Sequence, residues 1–436
     1  MRPITRRTAL LLGGVGAASV AVGATGLTLQ ASTLLPAELN GGAELTEPTE
    51  LRSSGGALTV DLEATAGQLS VAGRTVQALG YNGGTPGPTL RMRAGDTVNV
   101  SLRNGLTDPS NLHVHGLHVS PENNGDNMFV TVPAGDSFDY EYTLPADHPP
   151  GVFWYHPHHH GFVTDQVFGG LFGAIIVDDP DPIPATRERV LIISDVTLTA
   201  GGTVATATAM QKMSGREGEL VLVNGQLSPR LTAQPGDRER WRIVNACVSR
   251  YLRLRLDGQQ MSLLGIDSGR FASPREVAEI VLAPGNRADV LVTAAEGTSA
   301  LHTLAYDRGN AGGMMGGGST STADTTLATL NVAGEVAAES GAIPRQRTPR
   351  DLRSAAVTAR RELVFAMGMG GMGGGMMSPT INGRAFDASR DDETVQFGSV
   401  EEWLLTNTSN LDHPLHLHVW PMQIVEQNGQ AVDSVI

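Results

Sequence analysis

Three stretches of the chain repeat one arrangement of polar and hydrophobic positions. Each begins with an Asn-Gly pair, passes through a glycine turn, and ends in a run of roughly alternating hydrophobic residues closed by an asparagine. Such alternation is typical of a half-buried strand, and Asn-Gly favours a tight turn between strands. The third copy is looser, with a gap before its glycine and no aspartate after it. The copies run from Asn82 to Asn104, from Asn224 to Asn245 and from Asn382 to Asn407.

The spacing of these copies predicts the architecture. They recur at roughly 150-residue intervals, a normal domain length. Continuous helical periodicity is hard to find, so we predict an all-β chain of three tandem β-sandwich domains. We expect the third to be incomplete, because the sequence stops while that sandwich is still being built. The predicted units are a signal segment at 1–30, a linker at 31–56, and domains at 57–180, 187–335 and 355–436, joined by the acidic run Asp178–Pro182 and the polar stretch Gly334–Arg353.

The N-terminus carries a targeting pattern. Arg6-Arg7 precedes a weakly hydrophobic run rich in alanine and glycine, which resembles a twin-arginine export signal. An ordinary Sec signal or an uncleaved anchor is the alternative. No later segment is apolar enough to span a bilayer, so we expect no stable membrane span after signal removal. The predicted location is the bacterial periplasm, cell envelope or extracellular space.

Composition narrows the classes of partner. The formal charge of -14 disfavours a nucleic-acid partner, because an acidic protein repels phosphates. The single cysteine, Cys247, allows no intrachain disulfide, and its place in the second repeat's strand predicts a small buried residue. The sequence does not fix the oligomeric state.

Histidine marks the candidate chemistry. Ten of the twelve histidines lie in or beside three clusters, which start at His113, His156 and His413. Imidazole binds copper, zinc, iron and nickel, so the clusters indicate a metal without naming it. On a strand, the two histidines of an H-x-H pair project to one face. Two clusters lie in domain 1 and one in domain 3, which predicts a single site between these domains, with domain 2 as a spacer.

Five motifs, taken together and in order, resemble those of the three-domain multicopper oxidases, the group of laccases, bilirubin oxidases and bacterial cuprous oxidases. The resemblance implies cupredoxin-like Greek-key sandwiches and copper as cofactor, with four ions in a complete protein. It also implies one-electron oxidation of a cuprous or phenolic substrate coupled to reduction of dioxygen to water. The motifs are Tyr81–Leu90, HVHG at His113, WYHPH at Trp154–His158, QVFGGLFG at Gln166–Gly173 and HPLHLH at His413.

The resemblance also implies roles for individual residues. Asp126 lies near the acidic residue with which the family delivers protons, although its Asn-Gly neighbours equally suit a turn aspartate. Glu122 is a weaker rival for that role. The implied ligands are His113 and His416 for type 2 copper, His115, His156, His158 and His418 for the type 3 pair, and His413 for type 1 copper.

One family feature is missing. The family ends with H-C-H-x-x-x-H and an axial methionine, and nothing in this sequence matches that stretch. We therefore expect a C-terminally truncated sequence that is inactive or incomplete as it stands. Its type 1 site would lack the thiolate that gives an intense blue absorption, and its type 3 pair would lack two ligands.

Two segments are rich in glycine and methionine and suggest cuprous ion as the substrate, namely Gly309–Gly318 and Met367–Met377. Thioether sulfur selects cuprous copper, whereas the alternative is a flexible loop with incidental methionines. A non-enzymatic copper carrier is an alternative function. A second is a structural relative that lost its metal, as some exported cell-division proteins of this fold did. The candidate cuprous ligands are Met367, Met369, Met372, Met376 and Met377.

Overall fold

The computed structural model describes residues 42–309, 323–368 and 378–435. Within these ranges the chain is built of strands, with two short helices. No helix of the described residues is long and apolar enough to cross a membrane. The predicted signal at 1–30 lies outside the described residues, as do four of the five candidate methionines.

Domain 1 is a sandwich of two sheets, with strand orders β3-β2-β5-β7 and β1-β4-β9-β8-β6. The alternating residues of β5 face the core, where Val98, Val100 and Leu102 are at most 2% exposed. Its elements are β1 (Glu50–Arg52), β2 (Ala57–Val71), β3 (Arg74–Tyr81), β4 (Thr89–Met92), β5 (Thr97–Asn104), β6 (His113–His115), β7 (Ser137–Thr143), β8 (Gly151–His156), α1 (Val163–Gly169) and β9 (Gly173–Val177).

Part of the predicted linker at 31–56 is ordered strand. Strand β1 pairs in parallel with β4, and Leu51 packs against the core of domain 1. Upstream of it, Glu47 accepts a hydrogen bond from the backbone N–H of Val190, at 3.1 Å. This stretch is held in place because Leu51 buries apolar surface and because the backbone of β1 forms hydrogen bonds with β4.

Domain 2 is a second sandwich, with strand orders β11-β10-β13-β18-β15-β16 and β12-β20-β19-β14-β17. Cys247 is 3% exposed in its core, as predicted, and burial raises the pKa of the thiol. Its elements are β10 (Arg187–Val196), α2 (Ala209–Ser214), β11 (Leu220–Val223), β12 (Arg230–Ala233), β13 (Arg238–Asn245), β14 (Leu252–Leu256), β15 (Gln260–Ile266), β16 (Arg275–Val277), β17 (Ile280–Leu282), β18 (Arg287–Thr293), β19 (Gly297–Leu304) and β20 (Thr325–Val332).

Domain 3 contains, in its described residues, one sheet of order β22-β21-β23 and a β24-β25 ribbon. The three-stranded sheet repeats the order β3-β2-β5 of domain 1. Its strand β23 exposes Leu404 to 60% and Leu405 to 45%. The elements are β21 (Ala359–Gly368), β22 (Ser378–Ile381), β23 (Glu401–Asn407), β24 (Glu426–Gln427) and β25 (Gln430–Ala431).

The predicted repeat is visible in one side chain per domain. The Asn of each Asn-Gly pair has a left-handed backbone, with φ of 51° to 52°. Its side-chain amide donates a hydrogen bond to a backbone carbonyl of the neighbouring strand. Its side-chain oxygen accepts a hydrogen bond from the backbone N–H two residues after that carbonyl on the same strand. The carbonyls belong to Asp61 for Asn82, Val190 for Asn224 and Glu362 for Asn382, at 2.9, 2.9 and 3.0 Å.

The asparagine that closes each repeat is a second shared device. Asn104 and Asn245 are fully buried, and each donates to two backbone carbonyls, which lie at 2.8 to 3.0 Å. Asn407 is exposed and donates to the carbonyl of Leu411, at 2.7 Å. Asparagine therefore binds a loop through its side chain in all three domains, and it is buried in domains 1 and 2 but exposed in domain 3.

Buried ion pairs join domains 1 and 2. Asp179, in the predicted acidic connection, contacts Arg240 at 2.6 Å and Arg270 at 3.2 Å. Both guanidinium groups also reach Asp289, at 2.6 and 2.7 Å. Although burial raises the pKa of Asp289, Arg240, Arg242 and Arg270 hold it far below its ordinary range. Charge pairing thus fixes the connection at Asp179, whereas Pro180, Asp181 and Pro182 are exposed.

The matched asparagines give a test of this packing. We expect Asn104→Ala to lower the free energy of unfolding by about 2–4 kcal/mol, because it leaves buried backbone groups without partners. Asn407→Ala should cost about 1 kcal/mol or less, since water can replace its side chain. Calorimetric melting of the two variants measures both. Equal losses would contradict the difference in burial.

Candidate metal centre

Histidines from the two ends of the chain converge at one point. The Nε2 atoms of His113 and His416 lie 3.3 Å apart, although 303 residues separate them in sequence. His113 belongs to β6, which pairs with β8 so that His113 stands opposite His156. The structure therefore brings predicted ligands from domain 1 and domain 3 together.

Six of the seven predicted ligands surround this point. The ring nitrogens of His113, His115 and His156 lie within 4.8 Å of one another, and so do those of His113, His416 and His418. The ring of His115 stacks on that of His416 with centroids 3.7 Å apart, and His113 stacks on His418 at 4.1 Å. The ring of His158 meets that of His418 edge-on at 4.7 Å.

The orientation of the imidazoles fits a metal ion. Both carboxylate oxygens of Asp126 lie 2.9 Å from Nδ1 of His113. A carboxylate only accepts, so Nδ1–H donates and Nε2 keeps its lone pair. Nδ1 of His156 donates in the same way to the carbonyl of Pro157, at 2.9 Å. Lone pairs directed into a buried pocket can bind a cation, and imidazole suits copper in both oxidation states.

Local structure departs from the expected strands in two clusters. Strand β8 ends at His156, and His158 lies in the following loop, where Asn111 accepts its backbone N–H at 2.6 Å. His416 and His418 lie in a loop without strand structure. Loop contacts, rather than a shared strand face, therefore orient these side chains. Pro157, between His156 and His158, and Pro414, two residues before His416, each lack a backbone donor that a strand ladder would need.

Asp126 is more than a turn residue. It is 1% exposed, and its Oδ1 also accepts the N–H of Val114, at 3.0 Å. Burial raises the pKa of its carboxyl group to about 6. Glu122, the weaker candidate, is exposed. Asp126 is thus in direct contact with one predicted ligand, at a pKa close to neutral pH.

His413 stands apart from the six, as the proline after it suggests. Its Nε2 lies 2.7 Å from Oγ of Ser409, and its ring stacks on Phe365 with centroids 5.9 Å apart. It is partly exposed. The one cysteine of the sequence is in the core of domain 2, so it supplies no thiolate to His413.

Burial keeps the central imidazoles neutral. It lowers the pKa of His113, His115 and His156 well below the ordinary value, and neighbouring histidines lower each further. Burial first, and then His158, lowers the pKa of His418 to about 4. Neutral imidazole is the form that binds metal.

Sequence reasoning missed the contribution of domain 2. Gly285 packs against the ring of His115, and Arg287 packs against Gly116 of the HVHG motif. Asn111, which orients His158, was also missed. The alternation of Asn111 with His113 was an available signal for the asparagine. For Arg287 no local pattern distinguished it from other arginines.

The tautomer of His113 can be tested through Asp126. In Asp126→Asn the amide would donate to Nδ1 and move the proton to Nε2, the atom that faces His416. We expect copper affinity at the centre to fall by roughly 10- to 100-fold, while the fold is retained. Titration of the apoprotein against a copper chelator measures this. Glu122→Gln is the control, and an equal loss there would contradict the assignment.

The depressed histidine pKa values also predict acid sensitivity. Below the ordinary value of 6.5, the unfolded chain binds protons that the buried imidazoles reject, so stability present at neutral pH is lost as pH falls. His418→Gln should reduce this dependence between pH 6.5 and about 4 by up to about 1.4 kcal/mol per pH unit. Denaturant unfolding of the apoprotein across this range measures it. An unchanged slope would contradict the buried neutral state.

The sequence matches three family profiles, each described as multicopper oxidase, at residues 63–182, 187–333 and 356–435. Multicopper oxidase MmcO of Mycobacterium tuberculosis is 28% identical over 86% of this chain and 78% of its own length. Cell division protein FtsP of Sodalis glossinidius is 31% identical over 78% of this chain and 72% of its own length.

Solved structures show the same fold. A multicopper oxidase from Campylobacter jejuni, described as a metallo-oxidase, superposes with a TM-score of 0.80 at 28% identity, covering 93% of this chain and 88% of the other. A laccase-like multicopper oxidase from Ochrobactrum gives 0.75 at 26% identity, covering 89% and 88%. The domains are thus cupredoxin-like. The chain belongs to the multicopper oxidase family, whose members bind copper.

Proposed function

We propose that this protein is an exported oxidase that takes single electrons from a reduced substrate and passes them to dioxygen, forming water. The observation that carries the proposal is the 3.3 Å approach of His113 Nε2 and His416 Nε2. Asp126 leaves the Nε2 lone pair of His113 facing Nε2 of His416, and a metal ion shared by the two nitrogens would stabilise this arrangement. Copper bound there would supply the one-electron steps that dioxygen reduction needs.

The proposed ligand roles are those that the family resemblance implies. We assign type 2 copper to the facing pair His113 and His416, whose Nε2 atoms lie 3.3 Å apart across the two domains. The remaining four imidazoles would hold the type 3 pair, namely His115, His156, His158 and His418. Asp126 would orient His113 and carry protons to the centre, because its carboxyl group is buried and has a pKa of about 6.

Electrons would enter near His413, which we assign to type 1 copper. Phe365 stacks on its ring and lies on β21 two residues before Met367. The candidate ligands Met369, Met372, Met376 and Met377 follow in the chain, outside the described residues.

The other methionine-rich segment also starts near this loop. The backbone of Gly309 bridges that of Leu411, two residues before His413. Both methionine-rich segments therefore leave the described structure close to the proposed entry point for electrons. Thioether sulfur is a soft ligand that selects cuprous copper, so the methionine content of these segments favours cuprous ion over a phenol as substrate.

Export by the twin-arginine route is part of the proposal. Its support is the Arg6-Arg7 pair at the start of a weakly hydrophobic segment. A metal site built before export suits a route that carries folded proteins.

Two other functions have specific support. Copper sequestration without catalysis would use the same histidines and methionines. A role in cell division has support from the FtsP relative, at 31% identity. A relative that no longer bound metal would have no need to keep six imidazoles converging, so we rank this role last.

The shared ion can be tested by a double-mutant cycle on copper content. We expect His113→Ala and His416→Ala each to lose the same ion, so that the double variant loses no more copper than either single variant. Equilibrium dialysis and elemental analysis measure the bound copper. His302→Ala is the control, because His302 pairs with Asp257 at the surface of domain 2.

Additive losses in the double variant would mean separate sites, and the proposal would fail. Dioxygen uptake then separates the alternatives. In a chain completed with the H-C-H-x-x-x-H stretch that the sequence lacks, the oxidase proposal predicts turnover that exceeds the bound copper, faster with cuprous ion than with a phenolic dye. Sequestration predicts copper binding with no uptake, and the structural alternative predicts neither.

A further inference from the structure

Arg287 crosses from domain 2 to the histidine strands of domain 1. It starts strand β18, and its Nε donates to the carbonyl of Val152 on β8, at 3.2 Å. A Cβ added to Gly116 would collide with Nη2, so the guanidinium rests on the glycine that follows His115. Both this contact and the φ of 89° at Gly116 favour a residue without a side chain at this position of the HVHG motif.

The loop before Arg287 closes on the same histidine. Gly285 has a φ of 86°, and a Cβ there would lie 3.0 Å from Cε1 of His115. Nη1 of Arg287 lies 3.4 Å from the carbonyl of Gly285, which holds the side chain against this loop. Domain 2 therefore does more than space the other domains, because it places a cation beside the centre.

The charge of Arg287 is buried and only partly balanced. Its side chain is 3% exposed, and its partner Asp267, at 2.9 Å, is 34% exposed and screened by water. Burial lowers the pKa of Arg287, which Asp267 opposes, but a guanidinium stays protonated. After burial and neighbouring histidines, Arg287 also lowers the pKa of His113 and His416.

We propose that Arg287 is a fixed cation that weakens binding of Cu(II) at the histidine centre more than binding of Cu(I), and so favours the reduced metal. Coulomb repulsion scales with the charge of the ion, so the effect on Cu(II) is twice that on Cu(I) on a logarithmic scale. This inference rests on the proposed copper centre. Within it, Arg287 is a residue that sets the reduction potential and is not a ligand.

The test is the dissociation constants of both ions, measured on the full chain by competition with chromophoric chelators. Arg287→Gln should lower the constant for Cu(II) on the order of tenfold and that for Cu(I) about threefold. Arg287→Lys, which keeps the charge, should stay near the wild-type values. Unchanged or weaker Cu(II) binding in Arg287→Gln would overturn the proposal.

Asp267→Asn should change the Cu(II) affinity in the opposite direction. It removes the counter-charge and leaves Arg287 in place, so Cu(II) binding should weaken several-fold, and more than Cu(I) binding. If Arg287→Gln does not fold, the test uses Asp267→Asn alone. Unchanged or tighter Cu(II) binding in Asp267→Asn would overturn the proposal. Wild-type protein that binds no copper at the histidines would instead refute the proposed function, and the two failures are distinguishable.

Discussion

The candidate metal centre depends on bringing uncharged imidazoles from domains 1 and 3 into one pocket. Six rings pack there with nitrogens a few ångströms apart, and burial keeps them from taking up protons. The cost of placing so many lone pairs together is offset when a cation binds them. The pocket, the hydrogen bonds that fix the tautomers of His113 and His156, and the inter-domain contacts all serve this one requirement.

The three domains meet that requirement with repeated parts. The Asn-Gly asparagine and the closing asparagine fasten equivalent strands in each domain, so the histidine-bearing loops start from equivalent positions. Buried charge pairs around Asp179 and Asp289 fix domain 1 against domain 2. That interface in turn lets Gly285 and Arg287 reach His115 and Gly116. Domain 2 is therefore part of the centre's surroundings as well as the link between its halves.

Much of this was accessible from the sequence, for physical reasons. The period-two pattern and the Asn-Gly turns predicted the strands around Asn104 and Asn245, because those signals are local. The convergence of His113 with His416 followed from placing the clusters in domains, and the family resemblance assigned them. The loop structure of His416 and His418 was not predicted, since H-x-H fits a strand equally well. Arg287 was invisible because its role comes from a contact between domains that no local pattern encodes.

The central claim is that one copper ion is held jointly by the two ends of the chain. The most direct measurement is anomalous diffraction at the copper edge from crystals of copper-loaded protein. We expect a peak bonded to Nε2 of both His113 and His416, with further peaks among the other four imidazoles. Peaks confined to one domain, or none between these two histidines, would contradict the account.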